Sequence, residues 1–119
     1  MAHLLREYEW IMINITKDTL SITAELLIKD AVALDQGLLA IQQFCADMNS
    51  ESGCYMAVAH QDRSEPRKVI LWEMYRDQAA FDAHFNEEHT QVFIREGLTE
   101  LVKATQSQPM AETFKGVQL

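Results

Sequence analysis

The 119-residue chain reads as an α+β protein with the element order β-α-β-β-α-β. Three observations predict it. Apolar side chains alternate over residues 20–28, and they recur at spacings of three and four between Leu34 and Met48. Two further strand-like runs, CYMAVAH and KVILWEMYR, then follow with only a polar loop between them.

In LSITAELLI, Leu20, Ile22, Ala24, Leu26 and Ile28 share one side, a strand period rich in branched residues. From about Asp35, the expected cap, Leu34, Leu38, Ile41, Cys45 and Met48 mark an amphipathic helix ending near Asn49. SESG makes a turn, CYMAVAH is the second strand, and HQDRSEPR with Pro66 is a loop. KVILWEMYR is apolar on both faces and therefore central. Asp77 can cap a short helix, DQAAFDAHF, which Asn86 interrupts. A longer helix is expected next, with Glu87 and Glu88 in its first turn and Ile94, Leu98, Leu101 and Val102 on its buried face. Gly97 weakens it, Pro109 stops it, and MAETFKGV alternates as the last strand.

Right-handed crossovers fold this order into a ferredoxin-like, four-stranded antiparallel sheet with helices on one face. The other face carries either Trp72 and Met74 or Leu71 and Tyr75, too apolar for water, so a face-to-face homodimer is expected. Residues 1–18 are assigned to an N-terminal arm, and residues 19–119 to the domain.

A net charge of −8 argues against nucleic acid and anionic membranes as partners. Arg63, Arg67 and Lys68 come close together only in the Pro66 loop and read as a solvated loop. No apolar run approaches a membrane span, and the N-terminus lacks the pattern of a secretory signal. The chain is therefore expected in the cytoplasm, with Cys45 and Cys54 as free thiols. No Cys/His spacing suggests zinc.

The densest chemistry lies in WEMYRDQAAFDAHFNEEH, residues 72–89. Glu51 and Gly53, Tyr55 in the second strand, and then LWEMYRDQAAFDAHFNEEH resemble the antibiotic-biosynthesis monooxygenase-like family. Its members share a strand ending in an aromatic–Glu pair, a turn with Asp, then A-F/x-x-x-H and a second His five residues on. Those positions are Trp72-Glu73, Asp77, Ala80-Phe81, His84 and His89. The resemblance spans roughly residues 20–117. It implies a dimeric α/β-barrel with a pocket in each subunit between the sheet and the broken helix. It further implies oxygenation of a phenolic or quinol-like compound by molecular oxygen, with no cofactor and no metal. Other relatives isomerise small metabolites or degrade haem. LSITAELLI lacks the Asn of the haem-degrading branch, and Lys68 stands where some oxygenase relatives have Asn.

Glu73, mid-strand among apolar neighbours, needs a partner, and His84 on the short helix is the expected one. The pair reads either as a pin for that helix or as a base and its orienter. Trp72, Tyr75, Phe81, Phe85 and His89 are expected to line a pocket for a small, aromatic ligand. Glu73, His84 and His89 also make a recurring metal set, but their spacing is not diagnostic and no metal is expected. A non-catalytic dimeric ligand-binding protein and an isomerase of a small polar metabolite remain the alternatives. His60, at the end of the second strand, is expected to be exposed.

Overall fold

The structure, a computed structural model, describes residues 15–110 and 113. Its elements are β1 (Leu20–Ile28), α1 (Leu34–Asn49), β2 (Cys54–Gln61), β3 (Lys68–Tyr75), α2 (Gln78–His84), α3 (Glu88–Glu96) and β4 (Thr99–Ser107). The four strands form one antiparallel sheet in the order β2-β3-β1-β4. The expected class and the central place of β3 both stand. Among the described residues, no helix is long and apolar enough to cross a membrane.

The alternation in β1 places Leu20, Ile22, Ala24, Leu26 and Ile28 in the core, facing Ile41, Phe44, Cys45 and Met48 of α1. Asp35 is not the cap of α1. Ala33 occupies that position without a side-chain bond, and Asp35 lies in the first turn, where a carboxylate meets the positive end of the helix dipole. Asp77 does cap α2, accepting from the Ala80 amide at 2.9 Å. Residues 63–66 of the Pro66 loop are exposed as expected, while Arg67 is half-buried and its Nη1 donates to the carbonyls of Lys29 and Val32, both at 2.8 Å. Lys68 Nζ lies 3.0 Å from Glu25 in a partly exposed ion pair.

The last third of the chain differs from expectation. The helix expected to continue through Leu98, Leu101 and Val102 ends at Glu96, where Gly97 adopts a left-handed conformation at φ 61°. Glycine enters that region without the Cβ clash other residues meet, and it closes helices for this reason. The chain then pairs with the open edge of β1, from Ile28↔Thr99 to Ser21↔Ser107, with a bulge opposite Glu25/Leu26. Backbone pairing overrides the helical spacing. Leu101 and Val102 are consequently 63% and 55% exposed instead of buried. The strand expected at MAETFKGV lies outside the described residues apart from Met110 and Thr113, neither of which is in a strand. Of the arm, residues 1–14 also lie outside them, while Ile15 is buried against Met74.

Parity along β3 sends Leu71, Glu73 and Tyr75 inward, and leaves Trp72 on the outer sheet face, 51% exposed. There its ring lies 4.0 Å from that of His60. His60 is thus half-buried on a strand rather than exposed at a loop edge.

Gly53 decides how closely α2 can approach the start of β2. A Cβ at this position would sit 2.5 Å from Ala80 Cβ, and the Gly53 carbonyl accepts from the Arg76 amide at 2.8 Å. Gly53→Ala is therefore expected to cost about 1–3 kcal/mol through overpacking, read as a lower urea midpoint at unchanged slope.

Candidate functional site

Three side chains from separate segments meet under the sheet. Glu51 lies in the turn after α1, its amide held by the Met48 carbonyl at 3.0 Å. His84 is the last residue of α2, and His89 lies in the first turn of α3. On one unbroken helix, residues five apart point about 140° from each other. The turn through Phe85, Asn86 and Glu87 removes that constraint, and both rings converge on one carboxylate oxygen. His84 Nδ1 is 2.8 Å and His89 Nε2 2.6 Å from Glu51 Oε2. The Thr90 hydroxyl lies 3.2 Å from His84 Nδ1. His84 and Glu51 side chains are 5% and 7% exposed, and that of His89 is 21% exposed.

The expected Glu73–His84 hydrogen bond is replaced by two others. Glu73 Oε1 accepts from the Tyr75 hydroxyl at 2.6 Å, and Glu51 takes His84. The reason is geometric: Glu73 and Tyr75 are two residues apart on one face of β3, close enough to satisfy each other. Burial pushes the Glu73 carboxyl above its ordinary range, although the Tyr75 bond and the His84 ring both oppose that shift. Burial, the Glu73 charge and the shared bond likewise raise the Tyr75 phenol.

Both Glu73 and His84 line a cavity of about 450 Å³ between the sheet and the helices. Its walls are otherwise mostly apolar: Ile22, Ala24 and Leu26 of β1, Phe44 of α1, Leu71, Phe81, Phe85 and Phe93. Ile94 and Leu101 line it and are exposed, marking its mouth between α3 and β4. Of the residues expected at the pocket, Phe81 and Phe85 are in this wall. Tyr75 supports Glu73 from the core without lining the space. Trp72 is on the opposite face of the sheet. His89 instead lines a separate open groove between α1 and α3, with the stacked Phe44 and Phe93 as the wall common to both. Glu51 was not among the expected site residues, because a Glu in a SESG turn carries no periodicity that marks it as buried.

A carboxylate can only accept, so a neutral His84 must present Nδ1–H to Glu51 and keep its lone pair on Nε2. That ring lines the cavity, so the arrangement can take a proton from a bound molecule. The two cysteines offer no nucleophile. Both are free, and burial pushes Cys45 up to about 11 and Cys54 up to about 12. Glu51 Oε2, His84 Nδ1 and His89 Nε2 lie within 4.8 Å of one another, the donor types of a two-histidine, one-carboxylate metal site.

The raised Glu73 carboxyl has a consequence for stability. A group whose folded pKa exceeds its unfolded value stabilises the protein fully below the unfolded value, and that contribution is lost as pH rises through the folded one. Gln at this position keeps an acceptor for Tyr75 but cannot ionise. The melting temperatures of Glu73→Gln and the wild-type chain should therefore be close at pH 4 and separate by pH 8, with the variant higher. Parallel curves across that range would show that Glu73 ionises without penalty.

The family model described as antibiotic biosynthesis monooxygenase matches residues 33–96, from the start of α1 to the end of α3. The uncharacterised protein YjcS of Bacillus subtilis is 30% identical over 80 residues, which are 67% of this chain and 76% of that one. The solved structure of YjcS superposes with a TM-score of 0.70 at 27% identity, covering 77% of this chain and 99% of the other. PA3566 from Pseudomonas aeruginosa gives 0.72 at 28% identity, covering 79% and 96%. Rv0793 from Mycobacterium tuberculosis, 20% identical with a TM-score of 0.67 over 81% and 99%, shares the fold. A family model spanning more than half of the chain, together with this shared frame, makes the protein a member of the antibiotic biosynthesis monooxygenase family.

Proposed function

We propose that the protein is a cofactor-independent monooxygenase acting on a small phenolic or quinol-like compound, with His84 as the general base. The observation that carries this reading is the buried Glu51–His84 bond at the edge of a largely apolar cavity. Glu51 fixes the ring and its tautomer, so that Nε2 can accept the phenolic proton. A flat aromatic substrate suits walls built by Phe44, Phe81, Phe85 and Phe93. Glu73, kept above the ordinary carboxyl range by burial, is the second polar group facing the bound molecule.

The chemistry needs no electron donor beyond the substrate. In an anthrone, for example, a CH₂ group becomes a carbonyl. One oxygen atom of O₂ enters the product, and the other leaves as water with the two hydrogens removed. The protein's part is to generate and hold the electron-rich anion in a site that excludes water. The reading includes a homodimer, supported by the apolar outer sheet face around Trp72 and Val58 and by the exposed Leu101 and Val102 on the edge strand.

Oxygen uptake by the purified, metal-stripped protein with a panel of hydroquinones and anthrones tests the proposal, beside His84→Ala. Uptake above the uncatalysed rate, falling at least tenfold in the variant, is the expected result. Equal rates in both proteins would remove His84 from the chemistry. No stimulation with any substrate would favour a ligand-binding role for the same cavity.

A further inference from the structure

The cluster of Glu51, His84 and His89 has a use that the base mechanism does not require. We infer that it is a binding site for a first-row divalent transition-metal ion of the Zn²⁺ type, held by Glu51 Oε2, His84 Nδ1 and His89 Nε2. The inference does not depend on the proposed activity.

Four observations support it. The three donor atoms already point at one another within 4.8 Å, from three different segments. Two imidazoles and a carboxylate are the ligand types that borderline-soft divalent ions select. The Glu51 carboxylate is buried and, among the described residues, no lysine or arginine lies within ion-pair distance of it. The buried Glu73 carboxyl is close enough for the two acidic groups to influence each other. A divalent cation would neutralise this acidic pocket more completely than two imidazole rings can. Access also exists: His89 lines the open groove between α1 and α3, so an ion can arrive without crossing the apolar cavity.

Occupancy would trade the two hydrogen bonds for three coordinate bonds. With the ion on Nδ1, the proton of neutral His84 moves to Nε2, and the cavity then faces an N–H in place of a lone pair. The ion would therefore switch off a base at His84. His89 takes part in coordination but lines no part of the cavity, which separates the two roles experimentally.

The test is titration of tag-free, metal-stripped full-length protein with Zn²⁺ by calorimetry. It is followed in parallel by nitrogen NMR of the imidazole rings. One ion per chain is expected. His84 Nδ1 and His89 Nε2 should shift while His60 stays in place, and affinity should fall at least tenfold in both His89→Ala and Glu51→Gln. The NMR arm reads the wild-type chain, so the outcome stands even if a variant folds poorly. Absence of one-to-one binding would overturn the inference. So would binding that moves His60 and not the pair, or that persists unchanged in both variants.

Discussion

Glu51→Gln is expected to lower turnover of an oxidisable phenol by about 10²–10⁴-fold, the range a positioned general base contributes, while leaving the fold intact. The substitution is nearly isosteric, and it changes what His84 can do. The carboxylate only accepts, so it selects the ring tautomer with hydrogen on Nδ1. An amide can turn its NH₂ toward Nδ1, move the ring hydrogen to Nε2, and present the cavity with a donor where a base is needed. Changing the orienting carboxylate of a Ser-His-Asp triad to its amide works in this way, leaving geometry in place while the tautomer is wrong. The check is a comparison of kcat and of unfolding midpoint for the wild-type chain, Glu51→Gln and His84→Ala. Turnover should fall similarly in the two variants, whereas Glu51→Gln should retain most of the stability. If Glu51→Gln keeps full turnover, the Glu51–His84 contact is a structural pin and no more.

The sequence carried the frame of this site further than its wiring. Periodicity in LSITAELLI and in residues 34–48 located β1 and α1 because each buries one regular face, and such faces leave a repeat in the order of residues. The aromatic–Glu and double-His pattern located the strand and the broken helix that line the cavity. The pairing itself was not legible. Glu73 and Glu51 are both carboxylates near His84, and the decision between them rests on how far α2 descends onto the β2 turn. Gly53, whose missing Cβ lets α2 come close, bears on that descent, and both Glu51 and Gly53 stand among the residues that carry the family resemblance. β4 departs from its local pattern for a related reason. Leu98, Leu101 and Val102 fit a helical spacing, and only the unfilled edge of β1 makes the strand the better solution. Trp72 adjoins Glu73 in the aromatic–Glu pair, and neighbours on a strand face opposite ways, so it lies across the sheet from the cavity.

Phe44→Ala should have the largest effect on stability, about 3–5 kcal/mol, the usual cost of removing a buried phenyl group. Phe44 is buried and stacks on Phe93 with ring centroids 4.1 Å apart and planes within 5°. It also packs against His84 and His89, at 5.8 Å and 6.4 Å between centroids. Its second role follows from its position, since it is a wall of both the inner cavity and the outer groove that His89 lines. Truncation therefore joins the groove to the cavity and widens the route by which water reaches the space beside Glu73 and His84. Desolvation is what raises the Glu73 carboxyl, so letting water in should return it toward its ordinary value. Urea unfolding reads the first effect, and carbon NMR of the Glu73 carboxyl against pH reads the second. Phe44→Leu keeps most of the volume, so it should cost less and leave Glu73 raised. If Phe44→Ala loses stability without moving the Glu73 titration, Phe44 serves the core alone, and the burial of Glu73 is maintained by its other neighbours.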